Sequence, residues 1–162
     1  MPTTKNTRKK YVPKMVLKNP VSYVLEGFVP VRDHKTHFQR IQIKNSYALT
    51  SLFKGKASNS DMSTLVAMSN IVEALCNLGF GAEHSSVAED GRNAILSILS
   101  RSKYLPTGLE IKALQNLLDL HDAQLGVITV QELDKAVEFV KRGVRRPDAI
   151  RITKTEGVSS AG

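Results

Sequence analysis

The sequence predicts an all-α fold, a bundle of about five helices with basic tails at both ends. Three observations carry that expectation. Apolar residues recur at spacings of three and four through most of residues 34–144, the period of a helix with one buried stripe. Thr107 with Glu110, and Thr129 with Glu132, have the spacing of a capping box, in which side chain and backbone satisfy each other at a helix start. The apolar fraction is 41% but the aromatic fraction only 6%, with no Trp, so the core is aliphatic and suits packed helices.

Residues 1–13 are polar and basic without periodicity and read as a mobile arm. Asn19 before Pro20 is a helix start and Gly27 a stop, which predicts one short helix over 20–26, and Pro30 closes the connector. The first long helix is expected over 34–53, with Phe38, Ile41, Asn45, Ala48 and Leu52 on its stripe and Gly55 beyond its end. Phe38, Ile41 and Ile43 would also suit a strand in its first half. The next helix, over 61–78, sets Leu65, Met68, Val72 and Leu75 in line, widened by Met62, Val66, Ile71 and Cys76. Glu73 is the only charge between Met62 and Leu78. A helix apolar nearly all round is a buried one, so this is the expected central helix.

A helix over 83–102 turns Val87, Gly91, Ala94, Ile95 and Ile98 inward. Gly91 would let a neighbouring helix approach closely, at a cost of about 1 kcal/mol in helix propensity. The fourth helix begins after Thr107 and carries Leu114, Leu117, Leu118 and Leu125; the fifth begins after Thr129 with Val130, Leu133, Val137 and Val140 facing in. The short connection at 125–128, with Gly126 in it, predicts that these two pair as an antiparallel hairpin. After Arg142 the period decays through Gly143 and Pro147 into a Thr, Gly and Ser rich end. The expected organisation is a basic arm at 1–18, a helical domain at 19–144 and a flexible basic tail at 145–162, and a chain of 162 residues fits one domain.

Charge is unevenly placed. Residues 1–19 hold six Lys or Arg and no acid, residues 61–140 five bases against eleven acids, and residues 141–162 six bases against two acids. An acidic middle with basic ends points to a polyanionic partner for the ends. Cys76 stands alone, which excludes an intramolecular disulfide and a cysteine-only metal site and suits a reducing compartment. Pro13, Lys14, Lys18 and Pro20 interrupt any apolar leader after the basic start, and no apolar run nears the roughly 20 residues that span a bilayer. The expected setting is the cytoplasm, with no membrane partner.

Motifs for chemistry fail on their residues. Lys54-Gly55-Lys56-Ala57-Ser58 has Ala57 where a phosphate-binding loop needs Ser or Thr, and Thr50 where it needs its first glycine. Gly79-Phe80-Gly81 has His84 in place of the third glycine of a dinucleotide fingerprint. His34 and His37 have the spacing of a metal pair but no third ligand nearby, so a capped helix start with solvent-facing imidazoles is the expectation. His121 lies on an apolar stripe without a nucleophile in sequence reach and reads as a core or interface histidine. A helix-turn-helix over the last two helices is disfavoured, because its recognition helix would open with Glu132 and Asp134 and carry Glu138, which repel phosphates. No catalytic residue, cofactor or metal is expected.

Lys10-Tyr11-Val12-Pro13-Lys14, Asn19-Pro20-Val21-Ser22-Tyr23-Val24-Leu25-Glu26-Gly27 and Leu118-Asp119-Leu120-His121-Asp122-Ala123-Gln124-Leu125 resemble stretches of small uncharacterised helical proteins encoded in proteobacterial prophages and plasmids. The likeness runs over about residues 11–140. It implies a mobile-element origin in a bacterial cytoplasm and carries no activity or site residue with it.

The function expected is that of a non-enzymatic accessory protein of a mobile element, binding nucleic acid, DNA before RNA, with little sequence preference. The residues expected to carry it are Lys5, Arg8, Lys9, Lys10, Tyr11, Lys14 and Lys18 at one end and Lys141, Arg142, Arg145 and Arg146 at the other. Flexible cations neutralise phosphates without fixed geometry, and Tyr11 offers a ring for stacking. The other reading is a helical adaptor or inhibitor that docks on a host protein, as phage counter-defence proteins do, with the acidic side of the last helix as one candidate docking surface. A contiguous apolar patch rimmed by polar groups would favour the adaptor, and a continuous basic surface would favour nucleic acid.

Overall fold

All five long helices form: α1 (Lys35–Phe53), α2 (Asn59–Asn77), α3 (Ser85–Leu99), α4 (Gly108–Val127) and α5 (Val130–Val144), with single 3-10 turns at Val31–Asp33 and Ala82–His84. The computed structural model describes residues 27–145. The short helix expected over 20–26, the basic arm, and the C-terminal tail beyond Arg145 lie outside the described residues. Among the described residues there is no strand, only an isolated bridge between Pro30 and Thr129. Helix α1 is helical from its first turn, so the strand-like spacing of Phe38, Ile41 and Ile43 does not prevail.

Local chemistry sets the helix starts. Thr107 and Thr129 each accept from the backbone N–H three residues on, while Glu110 and Glu132 reach back to the cap. Helix α2 starts two residues earlier than its apolar stripe suggests, because Ser58 and Asp61 form a third box of the same kind. Helix α3 is shorter than expected at both ends. The Ala82–His84 turn precedes it, and after Ser100 the Arg101 guanidinium holds the connection to α4 by donating to the Leu105 carbonyl at 2.7 Å and to both oxygens of Glu110 at 2.6 and 2.9 Å.

Helix α2 packs against each of the other four, as its apolar surface requires. The larger core gathers Leu49, Leu52, Met62, Leu65, Ile98, Leu114 and Leu117 from α1 to α4. There α3 and α4 approach closely, with Gly91 fitted against Leu117. A second, smaller core gathers Val31, Leu75, Leu125, Ile128 and Ala136, with Phe38, Ile41, Val130, Leu133 and Val140 packed around it.

The expected α4–α5 hairpin is replaced by another arrangement: α5 lies on α2 instead of pairing along α4. Ile128 and Thr129 are both extended, with ψ near 158° and 164°, and they pair with the start of the fold. The Val31 N–H donates to the Ile128 carbonyl at 2.9 Å and the Val130 N–H to the Val29 carbonyl at 3.0 Å. Those two residues redirect the chain, so α5 covers the end of α2 in the second core.

Candidate nucleic-acid interface

Burial of Asn45, Ala48, Leu49 and Leu52 fixes the rotation of α1 and so decides what its opposite face presents. Arg40, Ile43, Lys44 and Tyr47 are spaced three and four apart and share that outer face. Ile43 and Tyr47 are 68% and 69% exposed. Lys35 precedes this face, Lys54 and Lys56 follow it, and no Asp or Glu occurs anywhere between Asp33 and Asp61. The ion pairs among the described residues lie elsewhere, at Arg32–Asp33, His84–Glu83, Arg92–Glu73, Arg101–Glu110 and Lys141–Glu138. The result is a positive patch on the outer face of α1, formed by Arg40 and Lys44, with an aromatic ring and an aliphatic side chain beside it.

The residues predicted for binding divide between described and undescribed chain. Lys5 to Lys18 and Arg146 lie outside the described residues. Lys141 and Arg142 stand in the last turn of α5 with Arg145 at its cap. Lys141 donates to Glu138 at 2.8 Å, and Arg142 lines a groove together with His34 and His37 at the start of α1. The end of α5 therefore lies beside the start of α1. Residues 27–145 carry fourteen Lys or Arg against twelve Asp or Glu, so the fold is nearly neutral and the patch gains its sign from placement.

That groove has a volume of about 820 Å³ and runs between α1 and α5. Val31, Ile41, Leu78, Val130, Leu133 and Phe139 form its apolar lining; Asp134 and Glu138 line it from α5. The acidic side of α5 is thus partly a groove wall, while Glu132 is turned back onto its own cap, accepting from the Thr129 N–H at 2.7 Å.

The titratable residues singled out from the sequence do not converge. The His34 and His37 rings are 6.5 Å apart, and no group of three or more His, Cys, Asp or Glu able to hold a metal occurs among the described residues. His121 is buried between α4 and the core, its Nδ1 has no hydrogen-bond partner, and desolvation lowers its pKa from 6.5 to about 4. Burial also raises the Cys76 thiol above its usual range, against the hydrogen bond from Gln124. Gln124 is itself buried, donating to the Phe80 carbonyl at 2.9 Å and the Val72 carbonyl at 3.3 Å, so it ties α4 to the end of α2. No helix among the described residues is long and apolar enough to cross a membrane.

Comparison with protein-family models, with curated proteins and with solved structures gives no match for this chain.

Proposed function

We propose that the protein is a non-enzymatic accessory protein of a bacterial mobile element that binds nucleic acid, DNA in preference to RNA, through its phosphates. The observation that supports this most is the acid-free outer face of α1, with Arg40, Lys44 and Lys54 around the exposed Tyr47. Cations on a rigid helix neutralise phosphates and release counterions, and an exposed ring among them stacks on a base of either strand type. Amide or carboxylate groups placed to read base edges are scarce on that face, which fits binding with little sequence preference. The basic residues at 5–18 and at 141–146 add further positive charge for phosphates.

The test is fluorescence anisotropy on the full chain with a labelled single strand and a labelled duplex. Affinity should fall steeply with salt, and Arg40→Ala with Lys44→Ala should reduce the duplex log–log salt slope by about 0.9 for each phosphate no longer neutralised. Tyr47→Ala should weaken single-strand binding by about 1–3 kcal/mol. No binding of either probe at low salt would remove this reading. The adaptor reading would then stand first.

A further inference from the structure

We infer that the groove between α1 and α5 is the seat of this chain's own residues 20–26. The described chain begins at Gly27, which lines that groove and lies against α5: a Cβ on residue 27 would stand 3.6 Å from the Gln131 Cβ. The residues immediately before it are therefore delivered to the groove with no linker to span, at a local concentration no separate partner matches.

Shape and chemistry agree with that occupant. Helix α5 is amphipathic, yet Ala136 is its single fully buried residue, and Val130, Leu133, Val137 and Val140 are only half-buried. Phe139 is 53% exposed and Leu78 42% exposed at the groove, apolar surface of the kind that a folded domain covers. Val21, Val24 and Leu25 stand at the three and four spacing of an apolar helix face, with Pro20 at the first position and Asn19 as cap. A helix of seven residues is not stable alone in water, so any persistent structure at 20–26 requires a surface to dock on.

Hydrogen exchange of the full chain, read by mass spectrometry, tests this. Amides of 20–26 should exchange at least about tenfold more slowly than those of 1–13, and the protection should be unchanged on dilution of the protein. Phe139→Asp, a substitution at an exposed position, should remove the protection while the far-UV circular dichroism of the bundle persists. A double-mutant cycle adds an independent measure: Leu25→Asp and Phe139→Asp should each lower the melting midpoint, and together by less than the sum. Unprotected amides at 20–26 in the unmodified chain, or full additivity of the two substitutions, would overturn the inference. Protection that vanishes on dilution would also overturn it, assigning the groove to a second copy.

Discussion

Gly91 on α3 faces Leu117 on α4 so closely that a Cβ at residue 91 would stand 2.7 Å from the leucine Cδ2 and 2.8 Å from its Cβ. The second distance matters more, because Leu117 Cβ is fixed to the backbone and cannot swing away. Gly91→Ala should gain about 1 kcal/mol in helix propensity and lose about 1–3 kcal/mol to overpacking, so the packing loss is the larger. A melting midpoint lowered by several degrees is the expected result. A higher midpoint would mean that the helices separate without cost.

Leu117 is fully buried on the other side of that close approach. Leu117→Ala should cost about 2–5 kcal/mol, the range for a cavity in an aliphatic core, read as a lower urea midpoint with the slope unchanged.

His121 makes stability depend on pH with a definite sign. Its imidazole titrates near 6.5 in the unfolded chain and near 4 in the fold, so between those values the unfolded state binds the extra proton. Stability should fall as pH drops through that window, by up to about 3 kcal/mol. Asp122 next to it works in the opposite direction, since burial raises its pKa, against the hydrogen bond from Gln42. Urea midpoints at pH 7 and pH 4.5 should differ in the native chain, and His121→Gln should reduce the difference. An equal difference in the variant would place the pH dependence elsewhere.

Glu110 serves the α4 cap and the Arg101 guanidinium together, and that guanidinium, ahead of the backbone and side-chain bonds from Thr107, holds its pKa at about 2. This contribution is present above the ordinary carboxylate value and is lost as pH falls from about 4.5 towards 2, mostly below the window of His121. Glu110→Ala should cost about 1–3 kcal/mol at pH 7 and almost nothing at pH 2, which thermal melts at the two values would show.

Gln124→Leu keeps the side-chain volume but leaves the Phe80 carbonyl without its donor. The expected cost is about 1–3 kcal/mol, together with faster reaction of Cys76 with a thiol reagent, because Gln124 joins α4 to the turn that covers the sulfur. Unchanged thiol reactivity would show that Cys76 is shielded without that amide.

Spacing and caps made most of this fold legible, and residue by residue the reason is visible. Leu65, Met68, Val72 and Leu75 mark α2 as central because no charge but Glu73 interrupts them, and Thr107 and Thr129 announce helices whose caps form as their sequence implies. Ser58 is harder to see, since Asp61 does there what Glu or Gln usually does. The placing of α5 is not in the local sequence at all. It depends on Ile128 and Val130 pairing with Val31 and Val29, nearly a hundred residues away, and short connections alone favour the hairpin that does not form. The outer face of α1 is legible only once its rotation is known. Counted along the chain, Lys35, Arg40 and Lys44 share a window with Glu26 and Asp33; counted around the helix, Arg40 and Lys44 share a face with Tyr47 and no acid.

The backbone pairing of Val29 to Val31 with Ile128 to Val130 has a mechanical consequence. Tension applied at the two ends of the described chain enters through residue 27 and through α5, and this clasp is the first place where the two lines of force cross-connect. Two hydrogen bonds and the second core carry the load there, in parallel with the covalent path from residue 31 to residue 128. The covalent path through α1 to α4 is far longer and stays slack until the clasp parts. A chain held at residues 27 and 145 would thus yield first at α5, shedding one helix while the larger core keeps its shape.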